Sequence, residues 1–486
     1  MSQDISMKHT TLPLLAALLL SPLAALHAAE SKAGAAAAVA DIARAQTHER
    51  RTHAPSVADY PSIQEAIRAN PGRMVYVPAG DYEISGKIHI GRQGGGLFGP
   101  GRIRQNNPGH PILVVEGATG VQFRDLTLMR PEGKTDTLTE GVLAINCRNL
   151  VLENLRVLDN RTRTAAIELR DCYASQIRNC LVQNYQCVSA DDRTSEKDNA
   201  GYAFKCLIGT GITLKDCRGT LIQGNRVIEQ HLFPTPEAKK TFHLGDFTKK
   251  NRVKGRFAKQ EDWDRDYTDN WHQATGIHVA CPTTTDFTQV LGNYVENSGQ
   301  GFDIHADHVI VAQNIVKDTM AGMKAMHGSR NVLIVGNQFS QNDLWSILLQ
   351  PGAASHAASP AQGSKLATEA NADGGSIVAN NIISDFGYGR CHWMRAGDAH
   401  GIPIRFEAGQ TENNPPLTDV IVQGNLVHNS GRDGVLMDGA VKVLPPRYTY
   451  AVHVATEGYA PPKGLHFSNN LLHPGTKGIS NVDLKP

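Results

Sequence analysis

The sequence predicts an all-β fold: a single-stranded right-handed parallel β-helix, closed at its start by a capping helix and carrying long loop insertions. Three observations predict it. An apolar–x–x–Asn–x–apolar unit recurs, as in V-L-E-N-L-R-V, L-I-Q-G-N-R-V and L-I-V-G-N-Q-F. Its apolar positions are Val and Ile in period-two alternation, the mark of strands. Its asparagines (Asn154, Asn179, Asn225, Asn293, Asn314, Asn337, Asn381, Asn425 and Asn470) are spaced at one or two times a unit of 21 to 25 residues, with one excursion of 68. A period just above ~20 residues is one turn of a parallel β-helix, whereas helical solenoids need about 33 or more. A leucine-rich repeat would carry Leu at fixed offsets, which is not the pattern here.

The elements follow in order. Lys8 and His9 precede an apolar run from Leu12 to Leu26, and Ala28 and Ala29 follow it. A basic start, a short apolar core and small residues form the pattern of a secretory signal, so residues 1–29 are read as a signal peptide and 30–58 as a linker. The β-helix domain then runs from 59 to 486. Although 486 residues exceed the usual single-domain size, a solenoid grows in one dimension and escapes that limit.

Ser62 followed by I-Q-E-A-I-R reads as a capped amphipathic helix, and M-V-Y-V-P-A-G-D-Y (74–82) as a strand and turn. This segment resembles the entry of the pectate-lyase-like β-helix superfamily, in which a helix covers the open first rung. Asn suits the inside of a tight turn because it tolerates left-handed backbone and bonds to its neighbours. The nine asparagines are therefore expected in one line along the solenoid. Cys147, Cys172 and Cys217, in the matching contexts I-N-C-R-N, L-R-D-C-Y and L-K-D-C-R, are expected in another, as small hydrophobes rather than disulfide partners. Loops break the repeat at about 230–275, 351–375, 387–400 and 438–462, and in solenoids such insertions gather on the binding face.

Three consecutive rungs open in parallel: G-I-H-V-A (276–280), G-F-D-I-H-A-D (301–307) and G-M-K-A-M-H-G-S-R (322–330). Registered on their glycines, Ile277, Phe302 and Met323 face the interior, while His278, Asp303 and Lys324 face outward one above another. Rungs are ~4.8 Å apart, so these side chains can reach each other. His305 faces out two positions on, and His327 and Arg330 follow in the turn. Five basic groups around one carboxylate mark a site for anions. The competing account is a charged ladder that merely stabilises the sheet.

Glycoside hydrolysis normally needs two carboxylates flanking the bond. The column offers Asp303, with Asp307 nearby and Asp191 and Asp192 about two rungs earlier. Uronate chemistry needs instead a base to take the proton beside a carboxylate, and cations to stabilise the enolate. Lys324, His305, His327 and Arg330 can supply both. The stretch G-F-D-I-H-A-D is similar to the Asp-Pro-His-Asp region of mannuronan C5-epimerases, with Ile304 in place of Pro and Ala306 inserted. That resemblance implies that Asp303, His305 and Asp307 take the motif's roles. Asp191-Asp192 compares with the Asp-Asp pair of polygalacturonase-type hydrolases, but the Asn-Thr-Asp, Gly-His-Gly and Arg-Ile-Lys companions of that pair are absent. The pair reads equally as a loop cap, a cation site or a substrate contact.

The insertion 230–275 carries a basic block from Lys239 to Lys259, an acidic block from Glu261 to Asp269, and the aromatics Trp263, Tyr267 and Trp271. It reads either as a roof holding an acidic glycan, with Trp271 against the sugar, or as a solvated loop whose charges pair. No resident metal is expected in the column. Calcium is conceivable through the acidic block, where the spacing is not that of an EF-hand.

The combined expectation is an exported polysaccharide lyase or C5-epimerase, periplasmic or secreted and monomeric, acting on an acidic polysaccharide. A glycoside hydrolase and a non-catalytic glycan-binding or adhesin β-helix are the alternatives. Net charge +1 points to neither nucleic acid nor a membrane surface, and no membrane span is expected once the signal is removed.

Overall fold

The computed structural model describes residues 54–132, 137–188, 207–230, 274–285, 287–389 and 401–486. The expected signal peptide, the expected linker up to residue 53, Asp191, Asp192, Trp271 and most of the loops 230–275 and 387–400 lie outside them. No described helix is long and apolar enough to cross a membrane.

Ser56–Pro486 form one unit built on three sheets of 12 strands each. Each rung gives one strand to each sheet in turn, and all ladders within these sheets are parallel, as in the pair Val151↔Gln176. This is the right-handed parallel β-helix that the repeat predicts. The period-two pattern becomes interior columns, one of which runs through Val142, Ile167, Ile212, Ile277, Phe302, Met323, Ile347, Ile404 and Val452, all fully buried. Rung glycines are set by close approach: a Cβ on Gly301 would lie 2.3 Å from the Gly322 carbonyl oxygen and 2.5 Å from a Val316 methyl.

The capping helix forms as Ile63–Ala69, with the Ser62 hydroxyl accepting the Glu65 N–H at 3.1 Å. It buries Ile63, Ala66 and Ile67 over the first rung. Gln64 makes two bonds to the strand Ile88–Ile90. Its amide donates to the His89 carbonyl at 3.1 Å and accepts the His89 N–H at 2.7 Å. A side-chain amide thus stands where another strand would pair, which removes the exposed edge of the third sheet. Near the other end the last strand of this sheet, Gly478–Ser480, pairs with Tyr450–Val454, and Asn481 prolongs that pairing by accepting the Val454 N–H at 2.9 Å and donating to its carbonyl at 2.8 Å.

The asparagine line needs one correction. Asn225, Asn293, Asn314, Asn337, Asn381, Asn425 and Asn470 form a buried ladder, each side-chain amide N–H donating to the next side-chain oxygen at 2.9–3.0 Å. Asn154 and Asn179 do not join it. They are exposed and hold left-handed backbone at φ 53° and 54°, one residue before the ladder position. That position is filled there by Leu155 and Cys180, whose N–H donates to the Asn225 side chain at 2.9 Å. The repeat tolerates Asn at two adjacent turn positions for different reasons, so aligning on the letter alone slips by one. The cysteine line is as expected and longer, because Cys281 continues it with its sulfur accepting the Cys217 N–H. All six described cysteines are buried and none of them forms a disulfide.

The insertions leave on both sides of the third sheet. The segment after Trp345–Gln350 folds as an arm closed by the antiparallel bridges His356↔Asn371, Ser359↔Thr368 and Gln362↔Lys365. On the other side, the connection from Leu426–His428 to Tyr450–Val454 carries a hairpin of Val435–Met437 and Ala440–Lys442. The outer face of the third sheet is therefore a floor between inserted loops.

Candidate active site

The register places Glu168, Thr213, His278, Asp303, Lys324, Leu348, Arg405 and His453 at one position of successive third-sheet strands. The predicted column of His278, Asp303 and Lys324 is thus directly stacked. Lys324 Nζ lies 3.1 Å from Asp303 Oδ2, and His305 Nε2 lies 2.7 Å from Asp303 Oδ1. The rings of His278 and His305 meet edge to face at 5.1 Å, and those of His305 and His327 at 4.3 Å. Five of the predicted residues therefore form one cluster, with Asp303 and Lys324 only 10% and 15% exposed in their side chains.

The electrostatics follow from burial and crowding. Burial alone would raise the Asp303 carboxyl, but His305 and Lys324 outweigh it and hold the group well below the usual carboxylate range. Burial pushes His278 down to about 4 against the opposing pull of Asp303. Burial likewise pushes His327 down to about 4, with His305 adding to the effect. Asp303 is thus an anion and His278 and His327 are neutral near pH 7.

His327 is fixed by the arm. Its Nδ1 accepts the Ala354 N–H at 3.1 Å, which makes Nε2 the protonated nitrogen of the neutral ring. Asn371 donates to the carbonyls of both His327 and Ala354 at 2.9 Å. Beneath them Asp373 accepts the N–H groups of Gly328 and Ser329 at 3.1 and 3.0 Å and bonds the Ser355 hydroxyl. Burial pushes Asp373 up to about 7, although those three hydrogen bonds pull the other way.

Arg330 and Asp307 stand apart from the cluster. Arg330 Nη2 is 2.8 Å from Asp307 Oδ2, and Asp307 Oδ1 takes Asn331 at 3.0 Å and His308 Nδ1 at 2.8 Å. Beyond the strand the alternation no longer assigns direction, and these two groups neutralise each other in the turn.

Sequence reasoning did not single out three further features of this face. Above His278, buried Glu168 is clamped by Arg170 and by Lys215 at 2.9 Å. Below Lys324, Arg405 and His453 hold Glu407 at 2.7 and 3.5 Å. The alternation in A-A-I-E-L-R and I-P-I-R-F-E could have disclosed both. Asp373 could not be found that way, because it reaches the site from an insertion.

Among the described residues, the strands next to Asp303 place His278 and Lys324 beside it, and no second carboxylate stands in the column within one rung. Asp307 is committed to Arg330, and Glu168 and Glu407 to their own cations. His278, His305 and Asp303 offer ligand atoms for a metal ion, while Lys324 and the rings offer proton transfer and anion binding.

No protein-family model and no curated protein sequence matches this chain. Solved structures similar to it include the Dettilon tailspike protein, at 12% identity over 83% of this chain and 63% of that one, with a TM-score of 0.49. The catalytic domain of a GH87 alpha-1,3-glucanase is matched at 12% identity over 88% and 68% of the two chains, with a TM-score of 0.49. The A-module of a mannuronan C-5 epimerase from Azotobacter vinelandii is matched at 12% identity over 88% and 99%, with a TM-score of 0.43. The chain spans under two thirds of the tailspike's length.

Proposed function

We propose that this chain is an exported enzyme, periplasmic or secreted, that acts on a uronate-containing polysaccharide by abstracting the proton beside the carboxylate, with β-elimination or C5 epimerisation to follow. One observation carries the reading: a buried, ionised Asp303 binds the Lys324 ammonium on one oxygen and the His305 ring on the other. A merely solvated ladder would not enclose such groups. Proton abstraction beside a carboxylate needs a cation against that carboxylate and a base nearby. In one assignment Lys324 neutralises the substrate and His305, oriented by Asp303, takes the proton. In the other Lys324 takes it. His327 fits a donor role, since its Nδ1 is engaged by the arm and Nε2 carries the hydrogen.

The lack of a second free carboxylate beside Asp303, among the described residues, favours elimination over hydrolysis. The test is incubation of purified protein with acidic and neutral polysaccharides. The ultraviolet absorbance of an unsaturated uronate identifies a lyase. Inverted uronate stereochemistry without chain cleavage identifies an epimerase. New reducing ends without that absorbance overturn the reading in favour of a hydrolase, and binding without turnover overturns it in favour of a glycan-binding protein.

A further inference from the structure

We propose that His278, Asp303 and His305 together bind one divalent transition-metal ion of the zinc type, which deepens the reading of this face as the active site and rests on it for its catalytic meaning. A ring nitrogen of His278, a carboxylate oxygen of Asp303 and a ring nitrogen of His305 all lie within 4.8 Å of one another. His278 Nε2, Asp303 Oδ1 and His305 Nε2 are each sealed from solvent and have no hydrogen-bond partner. The last two approach to 2.7 Å without the alignment of a donor and an acceptor. Buried polar atoms are nearly always hydrogen-bonded, so three that converge on one point without an aligned hydrogen bond call for a shared partner.

The chemistry of the set selects that partner. Two imidazoles and one carboxylate suit zinc and its neighbours, whereas calcium and magnesium prefer all-oxygen shells. The scaffold suits it too. His278 and Asp303 are lateral partners in adjacent strands and His305 lies two residues along the same strand as Asp303, so all three rise from rigid sheet on one face. Lys324 holds Oδ2 and leaves Oδ1 as the single ligand oxygen. Three protein ligands leave coordination positions open, as in catalytic rather than structural zinc sites. The Lys324 ammonium opposes the ion, so its affinity is weaker than that of a structural zinc site.

A bound ion would supply a Lewis acid for the substrate carboxylate. His305 would then be held as a ligand, and Lys324 would remain as the proton acceptor.

The test is calorimetry of the full chain, stripped with a chelator, titrated with zinc chloride alone, calcium chloride alone and magnesium chloride alone. The expected result is one zinc per chain, at least tenfold weaker in His278→Ala and in Asp303→Asn, with neither calcium nor magnesium bound at that site. Cobalt substitution should give a visible spectrum that His278→Ala abolishes. His278→Gln serves as the second variant if His278→Ala fails to fold. No zinc uptake, or uptake unchanged in folded variants, overturns the proposal and assigns the convergent atoms to an ordered water. Calcium or magnesium binding that the same variants abolish overturns the choice of ion. Because no substrate is present, these outcomes are independent of whether the face acts on uronates.

Discussion

The Lys324 ammonium lies 3.1 Å from the Asp303 carboxylate, a contact made between lateral neighbours of adjacent strands. Neither side chain supports the core, since both point out of the sheet, so their substitution tests chemistry more than folding. Lys324→Ala is expected to lower turnover by about 10²–10⁴-fold while circular dichroism stays that of the parent. Lys324→Arg keeps the charge but not a usable base. Substantial activity in Lys324→Arg makes Lys324 the electrostatic group and His305 the base. Loss as complete as in Lys324→Ala makes Lys324 the base.

Gly352 sits against His327: a Cβ there would come within 2.2 Å of Nδ1. Gly352→Ala should therefore push the ring off the Ala354 N–H. The expected result is a kcat reduced by roughly tenfold or more with KM less affected, at a stability cost of about 1 kcal/mol for the lost bond. Unchanged kcat in this variant would show that the arm does not position His327 for turnover.

Asp373 supplies a pH dependence of stability. Its folded pKa is raised by burial from 3.8 to about 7, so its contribution is fully present below the unfolded value and is lost as pH rises through about 7. Asp373→Asn keeps an acceptor for the two amides and a donor for Ser355 without ionising. Relative to the parent, its Tm should be close at about pH 4 and higher by a few degrees at about pH 8. A constant difference across that range would mean that Asp373 stays ionised within the fold.

The two classes of asparagine should behave differently. Asn337 accepts the N–H and side-chain amide of Asn314 and donates to Asn381 and to the Val311 carbonyl. Asn337→Ala leaves those buried groups unpaired and should cost about 2–4 kcal/mol in denaturant unfolding. Asn154→Gly, at an exposed left-handed position, should cost less than about 0.5 kcal/mol. Equal losses would contradict the separate roles.

Much of this was legible because a strand has only two faces. The alternation from Gly276, Gly301 and Gly322 alone placed His278, Asp303 and Lys324 in one outward column, and His305 beside them. It failed where the chain left the sheet. Arg330 was assigned to the cluster by nearness in sequence, yet it turns to Asp307. Asp373 lies 70 residues beyond Asp303 and reaches the neighbourhood only through the folding of the arm, which no period records. The slip at Asn154 and Asn179 has a different cause: left-handed backbone and a buried amide ladder both favour Asn, one position apart.

The amide cap formed by Gln64 carries a consequence for assembly. A stack of parallel rungs has no intrinsic length, and an open end of one molecule would accept the open end of the next. Here the first strand of the sheet that bears the site is met at His89 by a side chain that uses the same donor and acceptor as a neighbouring strand. One primary amide, on the helix that buries Ile63, Ala66 and Ile67 over the first rung, thus blocks strand addition at that end of the sheet.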